Sequence, residues 1–518
     1  MEIFQYHGFK DVSFKTDKTV EHWLEMEREC TWEAVAKYKT AAFAAVHLSK
    51  FDGELKQQLP PKPFELEDHP EYLLGGSARA WQRRFFFQAS DMEKYELIQS
   101  VLQAKKGMMR PGKEQVEAGI RKTIEKLTGK PEPLVRKLGQ YLNFPRFTYG
   151  FDLSDADEIL MSELEGKGVA TTLNRYDFVE QLRRTVREAL GNITFTLEDR
   201  VRLSFPSTSA NYINNRKGAG AVGTILEHPS LMDGLRRPGG YLKVVNVNKS
   251  KEKNEESISV EGDYSPTTLE YEKEELDLAY AKLWFRMLKG AITEEPTVEA
   301  VGLSEPLKVR VISKGPALLY TVLHSLWKKV HTALRAQDTF LIGKPVDHII
   351  IQNKLGANLQ DNEIYHSGDY ADATNQIKGW ASEAVAKEIA FLLKLTETET
   401  QLFLKGLTGH VFDDNGTMRK QTNGQLMGSI VSFPVLCLVN AAASRWACEV
   451  ADKRKYTLKD CKMMVNGDDV VLRADESVVE IKRRITAFVG LNDSVGKCYN
   501  AKRFVNLNST NFMRCDEY

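Results

Sequence analysis

The sequence predicts an α+β fold. Three observations carry that reading. Residues 1 to about 200 alternate amphipathic helical patterns with short breakers, whereas beyond about residue 300 short apolar strands punctuated by Gly and Asp alternate with long apolar helices. The third is the 461–472 run, in which Asp468 and Asp469 sit on a tight turn between apolar β-formers. Asn466-Gly467 at its centre is a strong hairpin signal, because both central residues of a type I′ turn need positive φ. The hairpin lifts the two carboxylates to its apex. Burying two like charges side by side is costly unless a cation such as Mg²⁺ compensates them, so a metal site stands beside the alternative of a solvated turn.

The 518 residues exceed what one core usually supports, so a few subdomains around a large interior are expected. Lys and Arg total 71, and Asp and Glu total 71, which argues against a simple cationic nucleic-acid binder and requires any nucleic-acid path to be a segregated basic channel. Cys30, Cys437, Cys448, Cys461, Cys498 and Cys515 have no CxxC spacing, so they read as free thiols in a reducing compartment. The N-terminus lacks the basic-then-apolar order of a signal peptide. The 430–447 stretch is mostly apolar, but Ser432, Pro434, Asn440, Ser444 and Arg445 interrupt it, and a helix packed inside a large protein explains them better than a membrane span.

Taken in order, the Pro-rich 59–64 stretch cannot be helical throughout. The 81–87 run interleaves Arg83 and Arg84 with Trp81 and three Phe; it suits a single-strand binder, and better a half-buried helix or strand whose arginines snorkel. The 216–223 loop is glycine-rich beside positive charge yet ends in neither a P-loop nor a Rossmann pattern, leaving a phosphate-approaching backbone and an ordinary loop both open. The Lys- and Glu-rich 249–277 segment reads as a solvated insertion. In the 305–316 run, strand geometry puts Lys308 and Arg310 on one face and Val309 and Val311 on the other, with Lys314 following; three cations on a rigid edge suit a triphosphate, and a solvated edge strand would look the same. The 364–377 segment is a strand leading into a helix, with Asp369 at the strand exit. If that strand lies beside the 462–472 hairpin, Asp369 and Asp468 can share a pair of divalent ions. Asp372 should point elsewhere and serve the following helix dipole. The 412–416 turn, with Asp413 and Asp414, reads as a structural hairpin. The 423–440 run is a glycine-bearing loop entering a buried helix, where Gly428 allows close backbone approach and Ser429 or Ser432 can cap the helix or hold a sugar hydroxyl.

In order, these blocks resemble the motifs lettered F, A, B, C, D and E of viral RNA-dependent RNA polymerases, nearest to the narnavirus-like and ourmia-like (botourmiavirus-like) enzymes. The 308–316 run resembles F, 367–375 A, 424–440 B, 466–469 C, 489–497 D and 504–509 E. The resemblance implies a right-hand fold with an antiparallel-sheet palm and helical fingers. It divides the chain into an N-terminal, mainly helical extension at 1–200, a fingers region at 201–365, and a palm at 366–518 with an interleaved fingers segment at about 378–423. It also implies roles: Asp369, Asp468 and Asp469 at two Mg²⁺ or Mn²⁺ ions, Lys497 as general acid toward pyrophosphate, Lys308, Arg310 and Lys314 at the incoming triphosphate, and Gly428, Ser429 and Ser432 around nucleotide and template. Two departures stand out. Asn375 occupies the ribose-recognising position where the family carries Asp, which alters ribose selectivity. The chain ends soon after the E block, which leaves little sequence for a thumb: a separate thumb-bearing polypeptide, a partial sequence or a compensating N-terminal region would each account for it.

The expected activity is therefore RNA-directed RNA polymerisation, replicating a positive-strand viral genome, with an RNA template, a product strand and ribonucleoside triphosphates as partners. No membrane span is expected. The thiols and the absent targeting segment suggest the host cytoplasm, with mitochondria as the alternative. A reverse transcriptase would share the two-metal chemistry but usually carries an aromatic residue where this chain has Asn466. A catalytically inactive RNA-binding remnant, needing a partner chain, is disfavoured by Asp369, Asp468, Asp469 and Lys497 all being present.

Overall fold

The computed structural model describes residues 2–10, 32–63, 69–130, 175–233 and 273–514. In chain order its strands are β1 (Lys56–Gln57), β2 (Thr297–Glu305), β3 (Lys308–Lys314), β4 (Glu363–Gly368), β5 (Val411–Asp414), β6 (Thr417–Lys420), β7 (Met463–Asn466), β8 (Asp469–Asp475), β9 (Tyr499–Ala501), β10 (Phe504–Leu507) and β11 (Thr510–Met513). A five-stranded sheet has the order β1-β9-β4-β8-β7, with every neighbouring pair antiparallel. A second sheet, β3-β2-β5-β6, combines two antiparallel hairpins through a parallel β2–β5 pair, and β10–β11 is a separate hairpin. Mixed helices and largely antiparallel sheets agree with the α+β class.

The sheet is covered on both faces, and the period-two geometry of a strand sorts its side chains accordingly. From β8, Val470, Leu472 and Ala474 enter the large helical core, while Val471 joins Met464, Tyr365, Ile351, Leu355 and Leu507 on the opposite side. Each such apolar side chain contributes roughly 1.5–3 kcal/mol when fully buried. Two-sided burial explains why β8 reads as a continuous apolar run rather than an alternating one.

Against this sheet packs the Ser432–Ala451 helix, buried along its length apart from Phe433. Of the polar residues in its apolar sequence, Asn440, Ser444, Arg445 and Glu449 have internal partners. Arg445 pairs with Glu188 at 2.6 Å and Glu449 with Arg184 at 2.7 Å, tying this helix to Arg175–Leu190. Among the described residues no helix is long and apolar enough to cross a membrane.

Upstream, the 81–87 run lies in the half-buried Gly76–Gln88 helix, and exposed Arg83 donates to Tyr72 Oη at 2.8 Å. Residues 59–63 are not helical, as Pro60, Pro61 and Pro63 require; Phe64 lies outside the described residues. The 249–272 part of the charged segment is also outside them, and from Lys273 the chain is helical through Thr293. Cys437, Cys448, Cys461 and Cys498 are free thiols, as expected; Cys30 and Cys515 fall outside the described residues. The 216–223 loop is closed on itself: Ala221 N donates to Ser207 O at 2.8 Å, Gly220 N to Asn215 O at 3.1 Å, and Thr224 Oγ1 accepts from Asn211 and Asn214. The run is a loop only as far as Ala219, because Gly220–Glu227 is a helix, which corrects the loop expectation for its second half; the amides named are engaged with protein groups.

Candidate active site

Pairing of β4 with β8 ends at Gly368↔Val470, so Asp369 emerges beside the first residue of β8, Asp469. The β7–β8 hairpin closes with Asn466 opposite Asp469, which makes Gly467 and Asp468 the central turn residues. This corrects the type I′ expectation. Gly467 alone has positive φ, +67°, as a II′-type turn with Gly first requires, and Asn466 instead donates from its side chain to Asn508 Oδ1 at 2.8 Å. The Asn-Gly signal is realised elsewhere: Asn415 and Gly416, at φ +53° and +89°, turn the β5–β6 hairpin, where Asp413 accepts from Gly416 N and Tyr212 Oη. That hairpin is structural, as expected.

The 467 turn is held from below by the Ser432–Ala451 helix. Asn440 Nδ2 donates to Gly467 O at 2.9 Å, Gly467 N donates to Cys437 Sγ at 3.3 Å, and Tyr370 Oη donates to Asn440 Oδ1 at 3.0 Å. One buried amide thus joins the residue after Asp369 to the residue before Asp468.

Asp369 is 8% exposed, and Lys497 Nζ donates to its Oδ2 at 2.5 Å. Its main chain is fixed too, since Ser494 N donates to Asp369 O at 2.7 Å and Cys498 Sγ donates to the same oxygen at 3.4 Å. Burial, then the Asp369 charge, pushes the Asp468 carboxyl up, with Lys497 and Arg310 opposing. Burial followed by Asp369 and Asp468 pushes Asp469 up to about 7. Burial pulls the Lys497 ammonium down, but Asp369 and its two neighbours outweigh it and hold the group above its ordinary range. Asp369, Asp468, Asp469 and Lys497 are therefore one electrostatic unit, with Arg310 within its field. Among the described residues no three His, Cys, Asp or Glu side chains form a ready metal cage, and at Asp369 the close partner is Lys497. The donor set nevertheless suits a hard divalent cation, because crowded carboxylates in a half-buried site have a large repulsion to relieve.

The 308–314 cations lie on β3 as strand geometry predicts, with Lys308 and Arg310 exposed and Val309 turned inward onto Gly119. They are paired locally: Lys308 and Arg310 with Glu305 at 3.2 and 2.8 Å, Lys314 with Glu299 at 2.8 Å. Gly428 packs on the end of this strand, where a Cβ would lie 1.9 Å from Ser313 O, so the close approach expected there is to protein backbone. Ser429 corrects the expectation for it. Its hydroxyl is buried and donates to Gly406 O at 2.6 Å, which leaves it neither capping the helix nor open to a sugar. Ser432 does not cap either, since the N-cap is Val431 with no side-chain bond; its hydroxyl is buried without a partner. Asp372 stands at the N-cap of the short Ala373–Gln376 helix with φ +54°, but its side chain makes no cap bond; it meets Lys126 and Asn375.

Two residues of the site were missed in the sequence. Lys482, fully buried on the Val478–Phe488 helix, lies 3.4 Å from Asp493 Oδ1 and 4.5 Å from the Tyr370 ring centre. Burial opposes its charge, but Tyr370 and Asp493 outweigh that and hold its ammonium above the ordinary range. The available signal was its spacing, four after Val478 and three before Ile485, on the helix's apolar stripe. Asn440 was visible only as a polar break in an apolar helix.

An antiparallel sheet that brings one carboxylate at a strand exit against two at a neighbouring hairpin is the arrangement expected of a nucleotidyl-transfer centre. Over 228 residues the chain is 36% identical to the RNA-dependent RNA polymerase of Ourmia melon virus, a match covering 40% of this chain and 26% of that protein. Over that stretch the chain is similar to a viral RNA-dependent RNA polymerase of ourmia-like type, as its motifs suggested, and it spans about a quarter of the length of the curated relative it matches. No family model matches it.

Proposed function

We propose that this chain is an RNA-directed RNA polymerase that replicates a positive-strand viral RNA in the host cytoplasm. The observation that carries the reading is the convergence of Asp369, Asp468 and Asp469 with Lys497 at the end of the β4–β8 pair. Asp369, Asp468 and Asp469 would hold the divalent ions, two Mg²⁺ or Mn²⁺, which when bound supply charge neutralisation for the triphosphate and acidity for the attacking hydroxyl. The chain's own groups do the rest. Arg310, Lys308 and Lys314 exchange their glutamate partners for triphosphate oxygens, Arg310 with bidentate geometry. Lys497, released from Asp369, donates its proton to the departing pyrophosphate as the 3′ oxygen bonds to the α phosphorus. Asn375 meets the ribose, and Ser432, further along the chain, has a buried hydroxyl without a partner. In the right-hand description the five-stranded sheet is the palm, and the β2–β3 hairpin belongs to the fingers.

The test is template dependence. The purified chain with Mg²⁺ or Mn²⁺ and a defined RNA should make product complementary to that RNA from ribonucleotides. Preferential use of deoxynucleotides would instead support a reverse transcriptase, and RNA binding without synthesis an inactive remnant.

A further inference from the structure

Lys126, Asp372 and Asn375 form a chain of contacts that begins far upstream of the 308–509 blocks. Lys126, near the end of the Lys113–Thr128 helix, donates to Asp372 Oδ2 at 2.5 Å, and Asn375 Nδ2 donates to Asp372 Oδ1 at 2.5 Å. The chemistry allows one arrangement. A carboxylate engaged by an ammonium accepts hydrogen bonds and offers none, so the Asn375 atom facing it must be the amide nitrogen. That argument fixes the amide independently of how its oxygen and nitrogen are assigned. The Asn375 oxygen is consequently turned away from Asp372.

The backbone around the amide is equally constrained. Asn375 N donates to Asp372 O at 3.1 Å, and Gln425 N donates to Thr374 O at 2.6 Å. Gly424, at φ +67°, lies so close that a Cβ there would stand 2.8 Å from the carbonyl oxygens of both Thr374 and Asn375. Asn375 is therefore locked between the strand-exit segment and the loop that precedes the Ser432–Ala451 helix.

We propose that Lys126 and Asp372 are a latch that holds the Asn375 amide with its oxygen turned away from Asp372, so that the chain selects nucleotides whose 2′ group donates a hydrogen bond. This rests on the reading of Asn375 as the ribose contact. Lys126 and Asp372 are positioning residues; only Asn375 touches the nucleotide. The latch accepts 2′-hydroxyl and 2′-amino nucleotides and discriminates against 2′-deoxy and 2′-fluoro ones, because a site built to hydrogen-bond a hydroxyl rejects analogues that leave its acceptor unpaired.

Two readouts on the full chain test it: equilibrium binding of ATP, 2′-amino-dATP, dATP and 2′-fluoro-dATP, and kcat/KM for each on an RNA template. The wild type should prefer the two donor-bearing nucleotides in both. Asp372→Ala should lower the ATP to dATP ratio about tenfold, the worth of one fixed hydrogen bond. Asp372→Asn/Asn375→Asp exchanges the two ends of the bond, still turns an oxygen outward, and should return the ratio to within about threefold of wild type. The latch is overturned if Asp372→Ala keeps the wild-type ratio while Asn375→Ala loses it, or if the wild type takes 2′-fluoro as readily as 2′-amino nucleotides. A chain that shows the binding preference but makes no product would support the latch and contradict the polymerase reading alone.

Discussion

At the residue scale, the site depends on a few atoms whose alternatives are costly. Lys497 is the ammonium on Asp369, and under the proposed function it would act a second time, at pyrophosphate. Lys497→Met should therefore lower kcat about 10²-fold with little change in nucleotide KM, while Lys497→Arg, which keeps the charge but holds its proton, should recover little. Single-turnover incorporation of one nucleotide distinguishes this from a purely structural role, which Arg would restore. Gly467 is constrained in a different way. Its φ of +67° and the 2.9 Å approach of a Cβ to the Phe433 ring mean that Gly467→Ala should cost at least about 1–2 kcal/mol, seen as a lower melting temperature. The acidic pair and Gly467 were legible in the sequence because they sit in one short hairpin. The fate of Ser429 was not, because its partner, the Gly406 carbonyl, lies in another element and no local pattern marks it.

At the scale of elements, strands β4, β7 and β8 and the Ser432–Ala451 helix follow from apolar runs, glycine punctuation and polar breaks of which Asn440, Ser444 and Arg445 are internally bonded. What the pattern could not show is which of the cations on the Val478–Phe488 helix is buried. Lys482 secures that helix to Asp493 and Tyr370, and its Nζ lies 3.0 Å from where a Cβ on Gly368 would stand. Lys482→Met leaves Asp493 with only the longer contact to Arg483 at 3.9 Å and should destabilise the protein by up to roughly 3 kcal/mol, whereas Lys482→Met/Asp493→Leu should recover much of the loss. Urea unfolding of both variants decides it; equal stability of the two would show the pair to be incidental.

At the scale of the molecule, segments far apart in the chain complete the central sheet and its surroundings. Strand β1 extends the sheet beyond β9, Gly496 N donates to Gln58 O at 2.8 Å, and Gln57 Nε2 donates to Gly496 O at 2.8 Å, so the residue before Lys497 is gripped by the N-terminal region. The Lys113–Thr128 helix reaches the β2–β3 hairpin through Val116 and Ile120 against Gly302, and reaches Asp372 through Lys126. A two-residue strand and a single lysine carry no long-range signal, which is why the upstream third of the chain gave helices but no role. Burial is equally global in its effect on histidine. His47, His366 and His410 are each pushed down to about 4, in every case chiefly by burial. The unfolded chain binds these protons near pH 6.5 and the folded chain only near 4, so stability should fall as pH drops through that window, by up to about 1.4 kcal/mol per pH unit for each histidine. Denaturation midpoints at pH 7, 6 and 5 should decline in step; a flat profile would contradict the burial of these rings.

If the strand-exit and hairpin carboxylates form the proposed polymerase centre, synthesis requires Asp468. The most direct test compares wild type with Asp468→Ala in ribonucleotide incorporation on a defined RNA, with circular dichroism confirming that both are folded. The wild type should give template-complementary product, and the variant should lose at least about 10³-fold. Equal synthesis by the two proteins would contradict it.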